Sequence, residues 1–282
     1  MLIYDASANG NRFKIIDSRN ADFIDGILFD TPANYPRGFD QLIVIETSKQ
    51  LNIDAELKIL NKDMSFATAC GNGTRCAAYI AGNAEIGKDV TLKVEDRVLS
   101  CKIVGENQVS VDMGKPIWDK NKLPLSDKHE IENLCDFGAY TVFGKYPLPD
   151  SIHYCGIVNV GNPHIVFFIG EDIDRISYHM LENYFINIKN NTIFTDGMNL
   201  SFWNMSMGKN HRVFYNGVFY ERGVGITSSC GTATCAAFAI ANKIGICEEK
   251  ADFYSLNHEK PITVSENKGN MIMTGPVNIQ ER

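Results

Sequence analysis

Short runs in which apolar residues alternate with polar ones, or stand four and five together, recur along most of the chain and predict β-strands. Leu2-Ile3-Tyr4 and Phe13 to Asp17 flank a turn at Ser7-Ala8-Asn9-Gly10-Asn11, where the Asn-Gly pair suits a tight reversal. Leu42 to Glu46 is an apolar run fit for a buried strand, and Ala55 to Leu60 alternates as a half-buried one should. Three further strand-like runs follow at 90–94, 98–104 and 109–112. After a Gly- and Pro-bearing break at 113–124 the pattern resumes at 138–143, 153–160 and 165–169, then gives a surface helix at 172–183 capped by Asp172 or Asp174. Leu200 to Trp203 is another strand, a hairpin is predicted about Asn216-Gly217 from the runs 211–214 and 217–220, and the tail 271–277 must pair with a strand already made.

Two segments depart from this strand pattern in the same way. Ala69-Cys70-Gly71-Asn72-Gly73-Thr74-Arg75-Cys76-Ala77-Ala78-Tyr79-Ile80-Ala81 is echoed by Ser229-Cys230-Gly231-Thr232-Ala233-Thr234-Cys235-Ala236-Ala237-Phe238-Ala239-Ile240-Ala241. Each reads as a Cys-Gly turn that starts a helix, and small or apolar residues on most sides of both predict burial. Gly71 and Gly231 leave the first backbone N–H groups open to a ligand. The chain thus repeats one order, several strands, a Cys-Gly turn, a buried helix and more strands, which is duplication at domain scale. The fold class predicted is α+β, with two pseudo-symmetric domains, each a mostly antiparallel sheet wrapped around a central helix. The domains are set at 1–116 with 271–282, and at 117–270. Halves that face each other bring Cys70 and Cys230 to opposite sides of one cleft.

Composition narrows the partners. The chain has 282 residues, 44% of them apolar, enough for a real core. A formal charge of −7 with acidic and basic residues interspersed argues against nucleic acid and for a small-molecule substrate. The N-terminus lacks a signal-peptide pattern and no window reaches the ~20 apolar residues of a membrane span, so the expected location is the cytoplasm, with no membrane partner. The eight cysteines are expected as free thiols. No metal site is expected, because no C-x-x-C or His pair stands near.

The chemistry follows from the cysteine pair. An α-carboxylate lying against both helix N-termini would have its developing charge stabilised, when the α-proton leaves, by backbone N–H groups and two macrodipoles. The same positive ends are expected to lower a cysteine pKa from ~8.5 toward neutrality, giving one thiolate base and one thiol acid. Removal on one face of the carbon and return on the other inverts the centre, with no cofactor. Cys76 and Cys235, deeper in their helices, read as small hydrophobes. Locally, Asn11 reads as a turn former, Gln41 shares that ambiguity, and Asn162-Pro163-His164 reads as a turn with a solvated imidazole.

Taken together, Asn61-Lys62-Asp63-Met64-Ser65, Cys70-Gly71-Asn72-Gly73-Thr74-Arg75, Gly161-Asn162-Pro163-His164, Glu221-Arg222-Gly223 and Cys230-Gly231-Thr232 resemble the diaminopimelate epimerase family over essentially the whole chain. The resemblance implies two domains closing on the substrate and a pyridoxal-independent, two-base epimerisation of LL- to meso-diaminopimelate by Cys70 and Cys230. It also implies substrate contacts from Asn11, Gln41, Asn61, Asn72, Asn162, Asn199, Glu221 and Arg222, and from the backbone of Gly71, Asn72, Gly231 and Thr232. In the family pattern His164 and Glu221 tune the cysteines, and a homodimer is the expected assembly. Arg12, Met64, Ile226, Ala233 and Ile272 stand where the family usually has other residues. Those departures keep two alternatives open: a racemase of a different amino acid, and a non-catalytic amino-acid binder on the same scaffold.

Overall fold

The computed structural model describes the chain except residues 21–37, 68–69, 127–151, 171, 174–175, 191–193, 196, 209–212, 223 and 257–258, and the side chains of 188 and 189. It forms two compact units, Met1–Asp112 with Met273–Arg282, and Met113–Ile272. The strand expected at 138–143 lies outside the described residues.

In the first unit the strands are β1 (Leu2–Ala8), β2 (Asn11–Asp17), β3 (Gln41–Glu46) and β4 (Ala55–Asn61). Then come helix α1 (Gly71–Ala81) and strands β5 (Asp89–Val94), β6 (Arg97–Gly105) and β7 (Gln108–Asp112). Asn9 and Gly10 both take positive φ between β1 and β2, the left-handed pair that a two-residue hairpin turn requires, and Ala8 pairs with Asn11 across it. Along the chain the pairings run antiparallel (β1 with β2), parallel (β2 with β3) and antiparallel (β3 with β4), then, after the helix, parallel (β4 with β5) and antiparallel (β5 with β6). The sheet wraps α1, which packs on β1, β2, β3, β5, β6 and β7. A helix so enclosed needs small residues on most sides, which is why Gly73, Thr74, Cys76, Ala77 and Ala78 are buried. Arg75 is also fully buried and donates from Nη2 to Asn9 Oδ1 at 2.6 Å, tying the helix to the β1–β2 turn. At the other end of α1, Arg19 donates to the carbonyls of Ala81 and Ile80, satisfying groups that a helix C-terminus leaves without partners.

The second unit contains β8 (Ile152–Asn159), β9 (Pro163–Ile169), α2 (Tyr178–Asn190), β10 (Asn199–Met207), β11 (Val213–Glu221) and β12 (Gly225–Thr227). Helix α3 (Gly231–Lys243), β13 (Lys250–Ser255) and β14 (Ile262–Asn267) complete its main body. β15 (Asn270–Pro276) and β16 (Asn278–Glu281) close the chain, β16 pairing with β1. The pairings run antiparallel (β8 with β9), parallel (β9 with β10) and antiparallel (β10 with β11), then, after α3, parallel (β11 with β13) and antiparallel (β13 with β14). This is the sequence of steps found in the first unit, with the helix at the same point. Alternate residues of β10 serve opposite faces of the sheet. Phe202 packs with Phe167 and with Tyr184 of α2, whereas Trp203 packs with Phe219 and Phe253, and Phe253 meets Phe238 of α3.

Two local expectations are corrected. No hairpin turns at Asn216-Gly217: β11 runs straight through both, paired with β10 along its length. Gly217 is there because it lies opposite Trp203, and a Cβ would sit 2.4 Å from the indole. The surface helix starts at Tyr178 rather than at Asp172, because the Ser177 hydroxyl accepts from the Met180 N–H at 3.2 Å and supplies the cap; Asp174 lies outside the described residues. No helix among the described residues is long and apolar enough to cross a membrane.

Candidate active site

Each unit gathers its candidate residues at the same point of its topology. In the first, Asn11 opens β2, Gln41 opens β3 and Asn61 closes β4, so that register sets Phe13 beside Gln41 and Gln41 beside Asn61. Gln41 Nε2 donates to Asn61 Oδ1 at 3.0 Å, and Asn61 Nδ2 donates to the Ser65 hydroxyl. The mouth of α1 lies over this edge: a Cβ on Gly73 would come 2.6 Å from Ile43 Cδ1, 3.3 Å from the Phe13 ring and 3.2 Å from Cys70 Sγ. Asn72, in the first turn, donates to Asn11 Oδ1 at 2.6 Å. Asn11 is therefore more than a turn former, since it is fixed to the helix that follows Cys70.

Cys70 is the N-cap of α1, in extended backbone, and its sulfur accepts the N–H of Gly73 at 3.3 Å. Cys230 is the N-cap of α3 in the same conformation and accepts the N–H of Ala233 at 3.4 Å. An N-cap side chain ordinarily offers oxygen to the third helical N–H. Here sulfur fills that role twice, which places both thiols at the positive ends of buried helices, with Gly71 and Gly231 as the first helical residues.

In the second unit the matching edge is more enclosed and carries titratable groups. His164 lies in register with Asn199 at the start of β10, and Glu221 ends β11. His164 is fully buried, with Nε2 2.9 Å from Asn162 Oδ1 and 3.4 Å from Asn199 Nδ2. Asn199 Oδ1 accepts the main-chain N–H of Arg222 at 2.8 Å, which fixes that side-chain amide beside the exposed Arg222. Burial lowers the His164 pKa to about 3, so the imidazole is neutral rather than a solvated cation in a turn. That corrects the local reading of Asn162-Pro163-His164: Pro163 begins a strand whose next residue is wholly enclosed.

Glu221 accepts from the Thr227 hydroxyl at 2.6 Å, and its pKa is raised because burial penalises the carboxylate. The Thr232 hydroxyl lies 3.3 Å from the Cys230 sulfur. The Cys230 pKa is raised well above the usual thiol value, first by burial and next by the negative charge of Glu221. This overturns, for Cys230, the expectation that a helix N-terminus lowers it toward neutrality. The dipole argument counted the attraction of the helix end but left out the loss of water around the sulfur. Cys230 is a thiol in this state, whereas Cys70 is half-buried. Cys76 is wholly enclosed and its pKa is pushed up to about 12, as suits an inert core thiol, and Cys235 is equally buried.

Sequence reasoning missed Thr227 and Thr232 as partners of the Glu221 and Cys230 side chains. A threonine six residues after a glutamate carries no periodic signal, and the contact exists only because β12 folds back on β11.

The chain matches the diaminopimelate epimerase family over residues 4–118 and 156–280. It is 34% identical over 275 residues to the diaminopimelate epimerase of Pelagibacter ubique, covering 95% of this chain and 92% of that one. It is 32% identical over 274 residues to that of Wolbachia sp. subsp. Drosophila simulans, covering 95% and 93%. Among solved structures, a probable proline racemase from Agrobacterium radiobacter superposes with a TM-score of 0.62 at 13% identity over 99% of this chain and 92% of that one. A putative phenazine biosynthesis PhzC/PhzF protein from Clostridium difficile gives 0.64 at 12% identity, covering 100% and 98%. At such identities the likeness is one of fold. The family match and the sequence relatives carry the assignment: the chain belongs to the diaminopimelate epimerase family of isomerases.

Proposed function

We propose that this enzyme interconverts LL- and meso-diaminopimelate by a two-base mechanism in which Cys70 and Cys230 address opposite faces of one α-carbon. The observation that carries the reading is the duplicated sulfur cap: two thiols, each at the mouth of a buried helix, each accepting the third helical N–H. The substrate α-carboxylate would take the N–H groups of Gly71, Asn72, Gly231 and Thr232. Charge that develops on it as the α-proton leaves would meet donors already in place. From one isomer the Cys70 thiolate removes the proton while the Cys230 thiol delivers one to the other face; from the other isomer the roles reverse. Asn11, Gln41, Asn61, Asn72, Asn162 and Asn199 would bind the substrate's polar groups. Arg222 would grip the distal carboxylate through its planar fork, with Glu221 toward the distal amino group. No cofactor enters the scheme. Action in the cytoplasm, as a homodimer, belongs to the same reading.

The test is incubation in heavy water with a panel of amino acids, following deuterium at the α-position. Entry into LL- and meso-diaminopimelate ahead of every other amino acid is expected. Entry into a different amino acid but not into diaminopimelate would make the chain a racemase for that compound. Binding without any exchange would make it a binder.

A further inference from the structure

The end of β11, the short strand β12 and the mouth of α3 form a closed set of polar contacts around one sulfur. Thr227 pairs across the hairpin with Phe219, two residues from Glu221, so its side chain shares a face of the ribbon with the carboxylate. Its hydroxyl donates to Glu221 Oε1 at 2.6 Å, and the charge of Glu221 acts on Cys230. The same sulfur meets the Thr232 hydroxyl at 3.3 Å and the Ala233 N–H at 3.4 Å. The sulfur thus has the Ala233 N–H as a donor, the Thr232 hydroxyl within hydrogen-bond reach, and the Glu221 carboxylate as the charge that acts on it.

We infer that Thr227 is a positioning residue for the proton of Cys230, its hydroxyl holding the Glu221 carboxylate in place to receive that proton. The inference rests on the reading of Cys230 as one of the two bases. The step is a transfer in which the Cys230 S–H bond breaks and an O–H bond forms on Glu221, so that thiol and carboxylate become thiolate and carboxylic acid with net charge unchanged. Thr232 and Ala233 then donate to the thiolate. The Thr227 hydroxyl lowers the proton affinity of the carboxylate, offsetting part of the penalty of burial. No other charged group intervenes among the described residues: burial, Thr227 and Cys230 act on Glu221, and burial, Glu221, Thr232 and Ala233 on Cys230. Arg222 points its main-chain N–H at Asn199, and His164 faces Asn162 and Asn199. The alternative is that Thr227 merely pins the hairpin.

Three variants separate the two roles. Thr227→Val keeps the shape and removes the donor, Thr227→Ala removes it in a smaller side chain, and Thr227→Ser restores it. The first readout is the carboxyl ¹³C resonance of Glu221 against pH, identified by its loss in Glu221→Gln. Loss of a hydrogen bond to a charged group should move the midpoint up by about one pH unit in the Val and Ala variants, with return toward wild type in Ser. The second is the acid limb of kcat/KM, which should move with it, whereas a merely structural role would lower the rate alike at every pH. A folded Val or Ala variant whose Glu221 midpoint stays at the wild-type value overturns the inference. Because the resonance is read without substrate, it decides the role of Thr227 even if the panel in heavy water fails to favour diaminopimelate.

Discussion

The edges that carry Cys70 and Cys230 occupy equivalent places in two copies of one topology, yet they are built from different chemistry. The edge beside Cys70 has two bonded amide pairs, Asn11 with Asn72 and Gln41 with Asn61, with an exposed Lys62–Asp40 ion pair next to them, and the sulfur is half-buried. Around Cys230 the corresponding strand ends carry His164, Asn199 and Glu221, and the sulfur is 4% exposed. The helix mouths differ too. Gly73 has no room for a side chain, while Ala233 stands at the matching position, 1% exposed. Duplication supplies two sulfur-capped helices; on the second, burial and the charge of Glu221 hold the proton on Cys230.

If the titrating groups of the second edge are what distinguishes it, acid should act through that edge, and this is the largest effect expected. His164 is held neutral with a pKa of about 3, against ~6.5 in the unfolded chain. Its contribution is therefore fully present above about pH 6.5, where neither state binds a proton. It is lost as pH falls from there toward 3, at about 1.4 kcal/mol per pH unit, because only the unfolded chain takes up the proton. Glu221 has the opposite sign. Its raised pKa gives a contribution present at low pH and lost as pH rises from the ordinary carboxylate value through the folded one. Urea unfolding of His164→Gln should show a shallower loss of stability below pH 6.5, and Glu221→Gln a relative gain toward neutrality. Equal pH slopes in wild type and both variants would remove the electrostatic distinction between the edges.

A smaller effect comes from the helix mouths. Gly73→Ala forces a methyl toward Ile43 and Cys70 Sγ, and overpacking of this kind costs about 1–3 kcal/mol. The reciprocal change, Ala233→Gly, should cost only the ~0.5–1 kcal/mol of a helical glycine. Denaturation midpoints of the two variants sharpen the comparison, and similar losses in both would show that the two mouths tolerate a side chain equally.

Part of this asymmetry was legible in the sequence and part was not. The two Cys-Gly helix starts were, because glycine after an extended cap followed by small residues has one economical reading, and the repetition doubled it. The strand runs 42–46 and 55–60 were legible from apolar continuity and alternation. Asn216-Gly217 misled, since that dipeptide is the usual signature of a tight hairpin, and only the tertiary neighbour Trp203 explains the glycine. The sequence reads Asp172 or Asp174 as the helix cap, and the cap that forms is Ser177, whose hydroxyl accepts the Met180 N–H. The bonded amides, Asn11 with Asn72 and Gln41 with Asn61, depend on strand register and on the crossing of the helix, which no local pattern encodes. The sign of the Cys230 shift depends on how completely water is excluded, a property of the packed unit rather than of the motif.

The central claim is that each sulfur is an independent base for one face of the substrate carbon. It is met most directly by Cys70→Ser and Cys230→Ser acting on a diaminopimelate analogue with a halogen at the β-carbon, prepared as both α-epimers. Epimerisation needs both sulfurs and should fall in either variant, with the ~10²–10⁴-fold worth of acid–base catalysis setting the scale for each step. Loss of the halide after α-proton removal needs only one base, so each variant should retain halide release from the epimer whose proton faces its remaining thiol and lose it from the other. Complementary retention by the two variants is the result expected. Loss of halide release from both epimers to the same extent in both variants would contradict independent bases on opposite faces.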